Sequence, residues 1–459
     1  MKWIFWYDWL LLPFYLILLR KIVFSFGNKR YQGKKLQYFK YGFIAKMIGA
    51  LGFAFYHQYI YRGGDTLLFF DTSIKLTDIA SSNFSQFLKT IFAYSPTDLD
   101  LQFDTLDDVV FNDSNFFIVR VSAVLAFVCF KSYIPILLLF STLSYIGIWY
   151  AYSSLCRMYP NASKDLAVVF LFIPSVVLWG SGLGKDSLTL GGTCLIFGAL
   201  LRLFLLPKQK KFINIIFVII GYYIVFIIKP YIIYSFIGAF TIGILFQRIV
   251  LIKNNNIKMI ARPLLLIVGL IFGLIGFNYI SKDPKFGLDL IAEQVVRNNK
   301  NLGEKSGAGS AYDLGMNTEN INGFTDILPI FPKSISITLF RPFLWEVNNP
   351  AMLLSALESL VFLLVVLYIL FKNKILGIIP IFIKQPLTIS CLLYTLIFAG
   401  LVGISSGNFG TLVRYKIPCL PFFGLMLVLL YKKNDLASTS SSLPAFNEKM
   451  LNTTDVKTS

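Results

Sequence analysis

Apolar runs of 15 to 23 residues recur along the chain and are separated by short basic or longer polar stretches. Runs of this length match the hydrocarbon thickness of a bilayer, so the pattern predicts an all-α, polytopic transmembrane bundle. Eleven spans are expected, over 3–19, 41–61, 133–155, 166–183, 186–206, 212–228, 231–250, 263–280, 352–371, 386–404 and 417–431. A further apolar segment at 116–130 is short, is interrupted by Arg120 and lies between Asn115 and Lys131.

Charge placement orients these segments. Residues 20–40 carry Arg20, Lys21, Lys29, Arg30, Lys34, Lys35 and Lys40 without an acid, and further basic loops follow near 208–211, 248–262 and 372–384. The positive-inside rule assigns all four to the cytoplasm. Five apolar segments separate the first two basic loops, whereas returning to the same side needs an even number of crossings. The segment at 116–130 is therefore expected to lie along the interface or re-enter. Residues 62–131 then form a first large outer loop, the turn at 184–186 lies on the same side, and 281–350 forms a second outer loop. Residues 1–433 make one integral membrane domain, and the Ser/Thr-rich 434–459 reads as a disordered cytoplasmic tail.

Composition refines this picture in three places. The hydrophobic fraction of 56% excludes an ordinary soluble domain, and the net charge of +18 follows from the cytoplasmic loops rather than from a nucleic-acid partner. The five cysteines lie in or beside apolar segments without metal or disulfide spacing, which makes them packing residues. Residues 3–19 contain Asp8 and lead into basic sequence without a small-residue cleavage site, so the segment is expected to be retained and to span or lie on the membrane.

Chemistry is expected where ionisable residues meet the outer ends of apolar segments. The first outer loop opens with Tyr-Arg-Gly-Gly-Asp-Thr at 61–66 and holds nine Asp against three cations from 62 to 113. A Gly-Gly pair permits a sharp turn and open space, so Asp65 can project into a cavity and accept a proton from a hydroxyl; an Asp capping the following helix fits the same residues. Asp71 lies six residues on, off that helical face. Apolar positions at Leu76, Ile79, Phe84, Phe87 and Leu88 predict short amphipathic helices on the membrane surface. Pro174–Asp186 reads as a hairpin tip whose Lys185 and Asp186 sit at membrane depth, either as a site or as a mutually neutralising turn. Lys229, Arg341, Arg414 and Lys416 are cations on the outer side, where they suit an anionic ligand such as a phosphate or serve as headgroup anchors. Glu346 and Glu358 are their expected ion-pair partners. The lone His57 is expected to be a hydrogen-bonded interface residue. No Gly-rich nucleotide loop or HExxH occurs, so neither a cofactor nor a metal is expected.

Three segments together resemble the GT-C membrane glycosyltransferases: Tyr-Arg-Gly-Gly-Asp-Thr, the Pro-Ser-Val-Val-Leu-Trp-Gly-Ser-Gly-Leu-Gly-Lys-Asp hairpin, and Gly-Thr-Leu-Val-Arg-Tyr-Lys-Ile-Pro at 410–418. The likeness covers roughly 41–206 and is nearest to bacterial envelope-polysaccharide members. It implies a polyprenyl-phosphate sugar donor, a glycan or lipid acceptor, and juxtamembrane helices in the first outer loop, at a bacterial inner membrane. It further implies Asp65 as general base, Asp186 near the reaction centre, and donor phosphate bound by Lys229, Arg341 or Arg414. The chain departs from the family pattern in having two apolar segments before the acidic loop instead of one. A polysaccharide polymerase and a lipid-linked glycan flippase are the alternative expectations.

Overall fold

The computed structural model describes residues 3–93, 112–206, 210–250 and 328–432, with a few isolated positions between 256 and 314. Every element among the described residues is helical. The expected span at 263–280, most of the second outer loop and the tail lie outside them.

Helix α1 (Trp6–Arg30) and helix α2 (Gly33–Phe55) meet at a turn of two residues, Tyr31 and Gln32. The basic stretch at 20–40, read from sequence as a loop, is therefore mostly helix. Lys and Arg are good helix formers, and Lys29 and Arg30 sit in the last turn of α1, where the helix dipole favours cations. The apolar window of α1 is only 17% buried against 72% for three other spans, which places α1 on the periphery of the bundle. Polar contacts hold it there, and the Tyr15 hydroxyl donates to the Val128 carbonyl. Buried Asp8 accepts from the Ser132 hydroxyl and, at 3.2 Å, from the Ile134 amide at the start of the helix Tyr133–Met158.

After α2 a π-helical turn (Tyr56–Tyr61) leads into α3 (Asp65–Ser82), α4 (Phe84–Phe92) and α5 (Asp113–Val128). Helix α5 contains the expected non-crossing segment and packs on α3 and α10. Arg120, the residue that interrupts its apolar run, donates to the Ile91 carbonyl at 3.2 Å and to the Ala93 carbonyl, which ties α5 to the end of α4.

The centre is built from α6 (Tyr133–Met158) and α9 (Lys185–Phe204), and α10 (Lys211–Ile228) packs along α9 with its apolar window only 22% buried. A Cβ on Gly147 of α6 would lie 1.9 Å from the Gly191 carbonyl oxygen of α9. Glycine at both positions therefore lets the two backbones touch, as small residues do between membrane helices. The second half comprises α11 (Pro230–Val250), α12 (Phe331–Phe340), α13 (Pro350–Lys384, broken at Lys374), α14 (Pro386–Ser406), α15 (Phe409–Tyr415) and α16 (Leu420–Tyr431).

Six described helices are long and apolar enough to cross a membrane, or eight spans result when two bent pairs are included. One bend falls where a single span was expected. The segment at 166–183 divides into α7 (Ser163–Leu171), preceded by a 3-10 turn from Pro160, and α8 (Pro174–Leu178), continued by a 3-10 turn to Ser181, at 60°. The segment expected at 417–431 corresponds to α16, and the short α15 ahead of it is set at 65° to it. Proline explains both breaks. Pro174 forces Ile173 into an extended conformation, and Pro418 lies within the bend before α16.

Candidate functional site

Four helix ends converge on one cleft. Asp65 is the first residue of α3, Lys185 and Asp186 open α9, Lys229 closes α10, and Arg414 lies in the last turn of α15. Both aspartates sit at helix N-termini and Arg414 at a C-terminus, where the dipoles favour them, while Lys229 lies between the end of α10 and the start of α11, whose dipoles act on it in opposite directions. Lys185 opposes its dipole. Its ammonium donates to the Ser114 hydroxyl of α5 at 2.8 Å.

The Gly pair places Asp65. Arg62 adopts a left-handed conformation at φ 55°, and Gly64, the residue before α3, has φ 108°. A side chain at Gly64 would also press on His57, with a Cβ 3.2 Å from its ring. The turn therefore reverses the chain within three residues of the π-helix. Asp65 makes no capping bond and projects outward, with its side chain 63% exposed. The capping role that also fitted the sequence is not the one it adopts.

Asp186 forms the centre of the ion network. Its Oδ1 accepts from Lys229 Nζ at 2.7 Å and its Oδ2 from Arg414 Nε at 3.3 Å. Side chains of Asp186 and Lys229 are each 7% exposed. Arg414 turns its remaining nitrogens toward the cleft, and one lies 3.9 Å from Asp65 Oδ2. Lys185 and Asp186 thus serve different neighbours rather than neutralising each other. Lys185, Lys229 and Arg414 stand against Asp65 and Asp186, and three cations with two carboxylates leave one net positive charge. Such a cluster suits an added anion.

The cleft itself is narrow, with enclosed room for about one water-sized molecule, and it opens partly to solvent. Asp65, Asp186 and Arg414 line one part, while Phe53, Phe69 and Trp179 supply an apolar wall. Trp179 comes from the turn after α8, which Lys46 supports from behind. Buried Lys46 donates to the Gly180 carbonyl and, at 3.3 Å, to the Ser144 hydroxyl. Sequence reasoning passed over Lys46, although a lone cation inside the expected span 41–61 was a visible signal. It also passed over Ser114, which no local pattern distinguishes.

Three other expected residues lie elsewhere. Asp71 accepts from the Trp3 indole at 2.9 Å, on another face of α3 from Asp65. Arg341 pairs with Glu346 and stacks over Phe409, with its guanidinium carbon 4.9 Å from the ring centroid. Lys416 is buried, donating to the Ser359 hydroxyl at 2.9 Å and to the Arg341 carbonyl at 3.3 Å. Arg341 and Lys416 thus form a second cluster. The Glu346 carboxylate is raised by partial burial, but bonds from the Arg341 guanidinium and the Phe343 amide outweigh this and hold its pKa below the usual value. His57 is buried and shares a hydrogen bond of 3.0 Å with the Phe53 carbonyl.

Among the described residues no three His, Cys, Asp or Glu side chains come together as a metal site. One Asp-Xaa-Asp spacing occurs in the chain, Asp98-Leu99-Asp100, and it lies outside the described residues. Comparison with known proteins returns nothing: no family model, curated protein or solved structure matches this chain.

Proposed function

We propose that the chain is a polytopic membrane glycosyltransferase of the GT-C kind, moving a sugar from a polyprenyl-phosphate donor to a glycan or lipid acceptor at the outer face of a bacterial inner membrane. The observation that carries this reading is an open carboxylate, Asp65, beside Arg414 in a cleft with an aromatic wall, with Lys229 behind Asp186 and Lys185 close by. A cation to receive the leaving phosphate and a deprotonating group are the two requirements of this transfer, and Arg414 and Asp65 are adjacent here.

In the reaction the acceptor oxygen bonds to the anomeric carbon as the bond from that carbon to the phosphate oxygen breaks. The acceptor proton passes to Asp65, and the lipid phosphate leaves with the electron pair. Attack opposite the leaving group inverts the anomeric centre. Arg414 and Lys185 stabilise the charge that develops on the phosphate. Both oxygens of Asp186 are occupied by cations, so its part is to hold Lys229 and Arg414 in place rather than to take the proton. Under this reading α4 and α5 are the juxtamembrane helices of the first outer loop, and about 11 spans complete the bundle. Helix α4 suits that position, with Phe84, Leu88 and Phe92 exposed along one face.

The test is transfer of labelled sugar from a polyprenyl-phosphate donor by purified protein. Asp65→Asn should lower the rate by about 10²–10⁴ without altering the fold. Near wild-type transfer by the folded variant removes Asp65 from the mechanism. A second reading, transport of a lipid-linked glycan, is favoured by the two helix pairs bent by 60° and 65°, since transporters commonly break helices around their binding sites. Donor crossing proteoliposome membranes without product formation would select it.

A further inference from the structure

The two bent helix pairs are fastened to two consecutive residues of α13, one to each. At the break between α7 and α8, the Ser175 amide donates to Glu358 Oε2 at 2.8 Å. At the break between α15 and α16, Lys416 donates to the hydroxyl of Ser359. Glu358 is the ninth residue of α13, about 12 Å along the helix axis from its start. It is 6% exposed, and Lys416 is 1% exposed. Neither belongs to the Asp65 cleft.

Their hydrogen bonding is not that of a buried ion pair. Among the described residues no donor is in hydrogen-bond geometry with Glu358 Oε1, while Oε2 receives the Ser175 amide, with the Ser175 hydroxyl close by. Lys416 lies close enough to interact electrostatically with Glu358, yet its ammonium is directed to a hydroxyl and a carbonyl. An ionised carboxylate this deeply buried would draw an adjacent ammonium into contact, because an unpaired charge in low dielectric costs several kcal/mol. A carboxylic acid has no such requirement.

Other groups do not supply the missing charge balance. Among the described residues, α8, α14 and α16 contribute no charged side chain toward α13. Lys333 on α12 is exposed, Arg341 and Glu346 pair with each other, and Arg414 on α15 is bound to Asp186. The Cys419 thiol also interacts with Glu358, from the bend that carries Lys416.

We propose that Glu358 is a proton-binding site between the two bent helices, carrying a proton on its carboxyl group while Ser175 and Lys416 hold the bends as they stand here. The site is independent of the transfer reaction, and it would serve either reading of the cleft. Losing the proton would leave a carboxylate that competes with Ser359 and the Arg341 carbonyl for Lys416, so proton release is coupled to the fastening of the second bend.

Infrared spectroscopy of the purified full chain in lipid nanodiscs at pH 7 tests this without any substrate. A protonated carboxyl absorbs in the acid C=O region, shifts on H/D exchange, and should disappear in Glu358→Gln while persisting in Asp65→Asn and Glu346→Gln. Should Glu358→Gln not fold, Glu358→Asp retains the acid and should shift the band. Acid C=O absorption unchanged in both Glu358 variants would overturn the proposal, showing an ionised Glu358 whose Oε1 is satisfied by water.

Discussion

Replacing Asp186 should be costlier to the fold than replacing either of its cationic partners. In Asp186→Asn the Lys229 ammonium, 7% exposed, loses its carboxylate and faces Arg414 across a neutral amide. Breaking a buried pair in this way costs about 3–5 kcal/mol, because the charge left behind has no compensation. In Lys229→Met the carboxylate keeps Arg414 at 3.3 Å, and methionine fills most of the lysine volume. The loss is then a charged hydrogen bond of about 1.5–3 kcal/mol. Reversible unfolding of the purified variants in mixed micelles, compared at fixed detergent composition, gives both differences. Their double mutant should be less destabilised than the sum, since either single change already removes the 2.7 Å contact. Equal costs for the two single variants, or a larger cost for Lys229→Met, would refute the central place given to Asp186.

Other consequences follow from particular contacts. Gly147→Leu drives a side chain into the Gly191 carbonyl, where even a Cβ would lie 1.9 Å away, and should destabilise the bundle by more than the roughly 1–3 kcal/mol of ordinary overpacking, measured by thermal unfolding in detergent. Lys46→Met removes the donor to the Gly180 carbonyl, and should quench or shift Trp179 fluorescence as the aromatic wall relaxes, an effect measurable against a Trp179→Phe background. Glu346 has a lowered folded-state pKa, so its stabilisation of the 344–346 turn is complete above the ordinary value of about 4.3 and is lost as pH falls through the lower folded value. Trp345 fluorescence should report that acid transition, and Glu346→Gln should abolish it.

Much of the site was legible because the membrane makes ionisable residues conspicuous. Asp65, Lys185, Asp186, Lys229 and Arg414 each stand at the end of an apolar segment, and the structure brings all five together. Their pairing was not legible. Asp186 takes partners 43 and 228 residues away, and sequence spacing carries no information about which distant cation arrives. Arg341 and Lys416 share the same sequence signature as Arg414, yet Lys416 lies beyond the end of α15 in the proline bend and turns toward Ser359. Hydropathy found the helices but drew 166–183 as one straight span, because averaging over a window hides the local effect of Pro174, and it started the last span at 417 without the short helix Phe409–Tyr415 bent against it. The basic stretch at 20–40 was misread for a related reason: charge density marks a membrane side, not the end of a helix.

The most direct test of the proposed chemistry is a cryo-electron microscopy map of the protein with a polyprenyl-phosphate sugar bound. The phosphate is expected against Arg414 and Lys185, with the anomeric carbon facing the space in front of Asp65 and the prenyl chain leaving toward lipid. Donor phosphate bound at the Arg341 and Lys416 cluster, or at the basic ends of α1 and α2, would contradict the assignment of this cleft as the place of sugar transfer.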